Sequence, residues 1–102
     1  MEIKNFTTDI DKFLDGLEKG VRSRVLQVFD MLELCGNEIG MPYSKSLGSG
    51  LFELRISGKI HIRIIYCFYQ NNVILLHAFI KKADKIPKKE LYLAKRRHKS
   101  IL

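Results

Sequence analysis

The sequence predicts an α+β domain: a small antiparallel β-sheet with an N-terminal two-helix hairpin on one face, and a C-terminal helix. Three observations carry that prediction. Residues 51–82 hold three apolar runs separated by Gly58 and by Gln70-Asn71-Asn72, the punctuation of an antiparallel meander. Ahead of them, apolar residues recur at helical spacing in two consecutive stretches. Behind them, Pro87 opens a segment with a thin apolar stripe and a dense basic side.

In chain order, Met1 to Phe6 reads as a short strand with Ile3 and Phe6 apolar. Thr8 is the expected cap of the first helix, with Asp11 three residues on as the capping-box acid. Ile10, Phe13, Leu14 and Leu17 form its stripe, and Asp9, Asp11 and Asp15 lie where the helix dipole favours negative charge. Gly20 is expected to mark a break. The second helix carries Val21, Val25, Val28, Phe29 and Leu32 on one face, exposes Arg22 and Arg24, and should stop at Gly36. Residues 36–50, rich in Gly and Ser around Pro42, read as a long loop. It is either a plain crossover or a functional loop with Tyr43 and Lys45 as contact residues.

In the first strand of the meander, Phe52, Leu54 and Ile56 alternate with Leu51, Glu53 and Arg55, so one face is apolar and the other polar. The helix hairpin should cover the apolar face. In the second strand, Arg63 shares a face with His61, Ile65 and Cys67. Residues 73–80, VILLHAFI, are apolar on both faces, so something must also pack on the second one. The C-terminal segment is the element left to do it. Leu91, Ala94, His98 and Ile101 make its stripe, and Lys88, Lys89, Tyr92, Arg96 and Lys99 gather beside it.

A chain of 102 residues is expected to make a single domain, residues 1–102, with one modest core. No apolar run approaches the roughly 18 residues of a membrane span, and the first residues lack the basic-then-apolar layout of a signal peptide. Cys35 and Cys67 read as buried thiols and not as a disulfide framework, which makes cytoplasm the expected location. The net charge of +7 is unevenly spread. Residues 1–50 carry six Lys and Arg against eight Asp and Glu, whereas residues 51–102 carry twelve against three. A basic half of this kind points to a polyanionic partner, nucleic acid above all. His61, His77, His98 and the two cysteines show none of the close pairings of a zinc site. No phosphate-binding glycine loop occurs either, and no metal or cofactor is called for.

What remains is fixed positive charge inside the meander: Arg55, Arg63, Lys81 and Lys82, with Glu53 beside them. Arginine donates parallel hydrogen bonds to phosphate and stays charged. Cleavage of RNA by its own 2′-hydroxyl needs alignment of that oxygen with phosphorus, and positive charge on the phosphorane oxygens. A lysine crowded by cations can act as acid or base. Glu53 is either a second candidate base or the ion-pair partner that orients Arg55.

The succession K-S-L-x-x-G-L-F-E-L-R-I, I-R-I-I-Y, L-L-H-A-F-I-K-K and P-K-K-E-L-Y-L-A-K-R-R resembles the RelE/HigB toxin superfamily, and most closely its phage-associated HigB-like branch. The resemblance implies a RelE-like fold and a type II toxin of a toxin–antitoxin system. Such a toxin is an endoribonuclease that cuts mRNA, typically on the ribosome, without a metal and leaving a 2′,3′-cyclic phosphate. It implies a cognate antitoxin, a helix-turn-helix HigA-like protein, with operator DNA met only through that partner and no membrane involved. By position, it makes Arg55 a catalytic basic residue, Arg63 the phosphate-binding arginine, and Lys82 with Lys81 the basic pair after the long strand. Tyr92 is offset by one residue from the tyrosine that activates the 2′-hydroxyl in some relatives, and the C-terminal histidine of others has no counterpart. Lys45, Lys59, Lys85, Lys88, Lys89 and Arg96 are the expected RNA-binding positions around the site. ParE-type toxins, which share the scaffold and poison DNA gyrase, and a non-catalytic RNA-binding module are the alternatives.

Overall fold

The computed structural model describes residues 1–102, and the alternation in residues 51–82 becomes its central sheet. Strands β3 (Leu51–Ile56), β4 (Ile62–Tyr69) and β5 (Asn72–Ile80) form the expected antiparallel meander. Two further strands lie at its edges. β1 (Glu2–Asn5) pairs with β5 and β2 (Ser44–Gly48) with β3, for a five-stranded order β1-β5-β4-β3-β2.

Both edge strands depart from the expectation. β1 runs parallel to β5, with Ile3 opposite Val73, so the sheet is antiparallel only in its other pairings. β2 comes from the middle of the stretch expected to be a loop. A Ser- and Gly-rich sequence carries little strand propensity, but the free edge of β3 supplies hydrogen-bond partners that a local reading does not see. Gly48, Ser49 and Gly50 turn the chain between the two strands with φ of 85°, 54° and 82°, a left-handed run that glycine tolerates. Before β2 come a 3₁₀ turn at Gly36–Glu38 and a cis Met41–Pro42 bond.

The helices α1 (Thr8–Asp15) and α2 (Lys19–Cys35) lie on one face of the sheet. Their stripes are the ones the spacing implies. Ile10, Val25, Val28, Phe29 and Leu32 pack with Leu54, Ile56, Ile62, Ile64, Tyr66, Val73 and Leu75 in the main core. Two boundaries differ by a residue or two. Thr7, in extended backbone, precedes the first helical residue Thr8, and its hydroxyl bonds to Asp9 while the Asn5 amide donates to Asp11. Gly20 sits in the first turn of α2 and does not interrupt it. Gly36 ends α2 at φ 55°, as its residue type implies.

The helix α3 (Lys88–Ile101) covers part of the other face, with Pro87 as its cap instead of its first residue. A smaller core of Leu51, Ile65, Cys67, Leu76, Phe79 and Ala94 lies there, flanked by Leu91 and Ile101. This explains the two-sided apolarity of VILLHAFI. A β-bulge contributes as well: Ile65 opposes His77 while Tyr66 opposes Leu75, leaving Leu76 as the extra residue. The Leu76 carbonyl accepts from Arg97 Nη1 at 2.7 Å, and Arg97 Nη2 reaches Asp9 Oδ2 at 3.3 Å. Arg97 thereby ties α3 to β5 and α1. No helix is long and apolar enough to cross a membrane.

Burial in the smaller core pushes the Cys67 thiol from 9.0 up to about 11. Between those values the unfolded chain gives up the proton and the folded one keeps it, so stability falls as pH rises from about 9 to about 11. About 2 units correspond to roughly 3 kcal/mol as an upper figure. Burial also raises the Tyr66 hydroxyl, with the Ser44 hydrogen bond opposing, and so adds to the loss at still higher pH. Thermal unfolding followed from pH 8 to 11 should show this decline, blunted in Cys67→Val. An equal decline in both proteins would refute the assignment to Cys67.

Candidate active site

On β3 and β4, residues two apart point to the same face, which places Glu53, Arg55 and Arg63 together on the side that α3 shares. Arg55 and Arg63 are directly opposite one another across the two strands. Glu53 lies between their guanidinium groups, with Oε1 3.6 Å from Arg55 Nε and Oε2 3.9 Å from Arg63 Nε. Two like charges facing each other in a sheet repel, and the carboxylate offsets that repulsion.

The three residues are not equally accessible. Glu53 is 4% and Arg63 5% exposed, whereas the Arg55 side chain retains 29%. Arg63 Nη1 donates to the carbonyl of its neighbour Ile62 at 3.0 Å, and Nε is buried without a hydrogen-bond partner. Desolvation lowers the Arg63 pKa, Glu53 opposes that, and Arg55 adds to it. An arginine so placed remains a cation at neutral pH. Where it lines a cleft, such a guanidinium can donate charge-assisted hydrogen bonds to a phosphate oxygen.

Arg63 also forms part of the floor of a shallow cleft of about 310 Å³, lined by His61, Arg63, Lys81, Lys82, Ala83 and Asp84. The Lys81 backbone N–H donates to the His61 carbonyl at 2.8 Å, holding the ends of the two strands together. The cleft therefore unites Arg63 with Lys81 and Lys82. Arg55 joins it through Glu53 and the strand pairing, not by lining it.

The remaining sequence-predicted positions are dispersed. Tyr92 is 64% exposed, with the Arg96 guanidinium 5.9 Å from its ring centroid, and it does not line the cleft. Lys88, Lys89, Lys95, Arg96 and Lys99 are exposed around it on α3, while the one acid of that helix, Glu90, turns inward to His77 Nε2 at 3.1 Å. Lys45 is exposed on β2 opposite Glu53, and Lys85 is exposed in the connection to α3. Lys59 lies at the β3–β4 turn, 3.8 Å from Glu18, beside a separate pocket of about 230 Å³ floored by Val21, Ile56 and Ile60. Tyr43 packs against the main core instead of standing free on a loop. Cys67 is buried as expected, whereas Cys35, the last residue of α2, is exposed instead of buried; both are free thiols. No three His, Cys, Asp or Glu side chains gather as a metal-binding group.

Three lining residues were not among the sequence-predicted site residues: Ala83, Asp84 and, on the strand side, His61. Its signal was present, since it lies two residues from Arg63 and shares that face. What the alternation lacked was the second wall, which the Lys81–Asp84 segment supplies from 18 or more residues away.

A family model described as "Phage derived protein Gp49-like (DUF891)" matches residues 12–99, most of the chain. No curated protein matches the sequence. The chain belongs to the Gp49-like family of phage-derived proteins. Membership agrees with the resemblance at the level of RelE/HigB-like toxins in general, and is compatible with the toxin of a toxin–antitoxin system.

Proposed function

We propose that this Gp49-like protein is a type II toxin of the HigB-like kind that cuts mRNA, engaged on the ribosome, and so inhibits translation and growth. The observation that carries the reading is the convergence of Arg63, Lys81 and Lys82 in one cleft, with Glu53 pairing Arg63 to the neighbouring Arg55. In this mechanism the scissile phosphate sits at the cleft and the RNA 2′-oxygen attacks phosphorus. Arg63 and the lysines stabilise the charge that grows on the phosphorane oxygens, where preorganised cations act most strongly. The products are a 2′,3′-cyclic phosphate and a 5′-hydroxyl. The side chains supply the charge, so the reaction is proposed to need no metal. The exposed basic face of α3, with Lys45, Lys59 and Lys85, holds more distant phosphates in this reading. A helix-turn-helix antitoxin of the HigA type is the proposed partner that silences the toxin in the cytoplasm.

Primer extension on cellular mRNA after induction tests the reading. Discrete cuts in phase with codons are expected, and the cutting should persist in EDTA in a reconstituted translation mixture. Intact mRNA with broken DNA would replace the nuclease by a gyrase poison. Intact mRNA and intact DNA, with RNA still bound, would leave a binding module.

A further inference from the structure

We propose that His61 takes the proton from the RNA 2′-hydroxyl, an inference that rests on the nuclease reading above. The reaction moves two protons. One leaves the 2′-oxygen as its bond to phosphorus forms; the other joins the 5′-oxygen as the phosphorus–oxygen bond breaks. The second proton comes from the ammonium of Lys81 or Lys82, so the step balances without any further reactant.

The candidates for the first proton differ in placement. Arg63 is a permanent cation and takes no proton. Glu53 is 4% exposed, has both oxygens directed at guanidinium groups, and does not line the cleft. Tyr92 is outside the cleft as well. Asp84 lines it, but a carboxylate is ordinarily too weak a base at neutral pH to compete with an imidazole.

His61 meets the geometric requirement. It is exposed, and its ring makes no hydrogen bond within the protein, which leaves a nitrogen free for substrate. Its backbone carbonyl accepts the 2.8 Å bond from Lys81, and the residue lines the cleft together with Arg63. The charged groups that face it are Arg63 from β4, and Lys81, Lys82 and Asp84 from the segment after β5. Histidine is the side chain that ordinarily changes charge near neutrality, which suits it to this transfer.

The test is single-turnover cleavage of mRNA by the full chain in a reconstituted translation mixture, comparing wild type with His61→Gln across pH. The variant should lose about 100-fold or more in maximal rate. The concentration for half-maximal rate should stay unchanged, and the rise in rate through the neutral range should disappear. Imidazole added to His61→Gly should restore part of the rate. A substrate with sulfur in place of the 5′-oxygen needs no proton on its leaving group, so it should not rescue His61→Gln. A wild-type rate in His61→Gln, or full rescue by the sulfur substrate, would overturn the assignment while leaving the nuclease reading intact. If wild type cuts no RNA at all, the nuclease reading itself fails, and the assignment with it. His61 is exposed, so thermal unfolding of the variants should match wild type; His61→Asn serves if Gln does not fold.

Discussion

Replacing Arg63 with Met should abolish growth arrest and lower RNA cleavage by about 100- to 1,000-fold, the usual cost of one transition-state charge donor. Methionine is the informative choice because it fills much of the space of a buried side chain. Arg63→Met and Arg63→Ala both strip Glu53 of one of its two cationic partners, but Arg63→Ala would add a cavity as well, so its loss of activity would be mixed further with loss of fold. Arg63→Lys should fall between wild type and Met, because it keeps the charge but not the planar fork. Growth arrest by Arg63→Met at equal soluble expression would remove Arg63 from the mechanism.

Glu53→Ala should be the most destabilising single change at the site, by about 3–5 kcal/mol, because it leaves two facing guanidinium groups with no carboxylate between them. The magnitude follows from placement. Glu53 is 4% exposed, Arg63 is 5% exposed, and Arg63 Nε has no hydrogen bond to fall back on. A buried ion pair is often matched in stability by apolar residues of similar volume. The double variant Glu53→Leu with Arg63→Met should therefore regain most of the loss in chemical denaturation while remaining inactive. Such a result separates the two roles of the cluster: the pairing holds the strands, and the arginine does the chemistry. A double variant no more stable than Glu53→Ala would show that the destabilisation arises elsewhere. With Glu53→Leu added as the matching single variant, wild type, the two singles and the double variant form a cycle that gives the coupling between the two side chains directly.

These expectations also change how the charges in the sheet are understood. Alternation places Glu53, Arg55 and Arg63 on one face, and that part is visible in eight residues of β4 and six of β3. It does not reveal that Glu53 and Arg63 are almost wholly removed from solvent. The burial makes Glu53 and Arg63 internal charges, with Arg63 lining the cleft and Arg55 still partly exposed outside it. Tyr92 illustrates the converse. Its helix forms as its stripe implies, yet its rotation on that helix leaves it exposed beside Arg96 and outside the cleft.

The sequence by itself determined the fold class, the meander, the helical stripes that cover one face, and which face carries the charge. All of these follow from periods of 2 and 3.6 residues, which are local patterns. Tertiary structure alone decided the parallel pairing of β1 with β5, the recruitment of Ser44–Gly48 as an edge strand, and the bulge at Leu76. It also decided the meeting of His61 and Arg63 with Lys81, Lys82 and Asp84. The physical reason is the same in each case. Hydrogen bonds at a free strand edge, and burial under a helix packed last in the chain, depend on partners distant in sequence that no local pattern records.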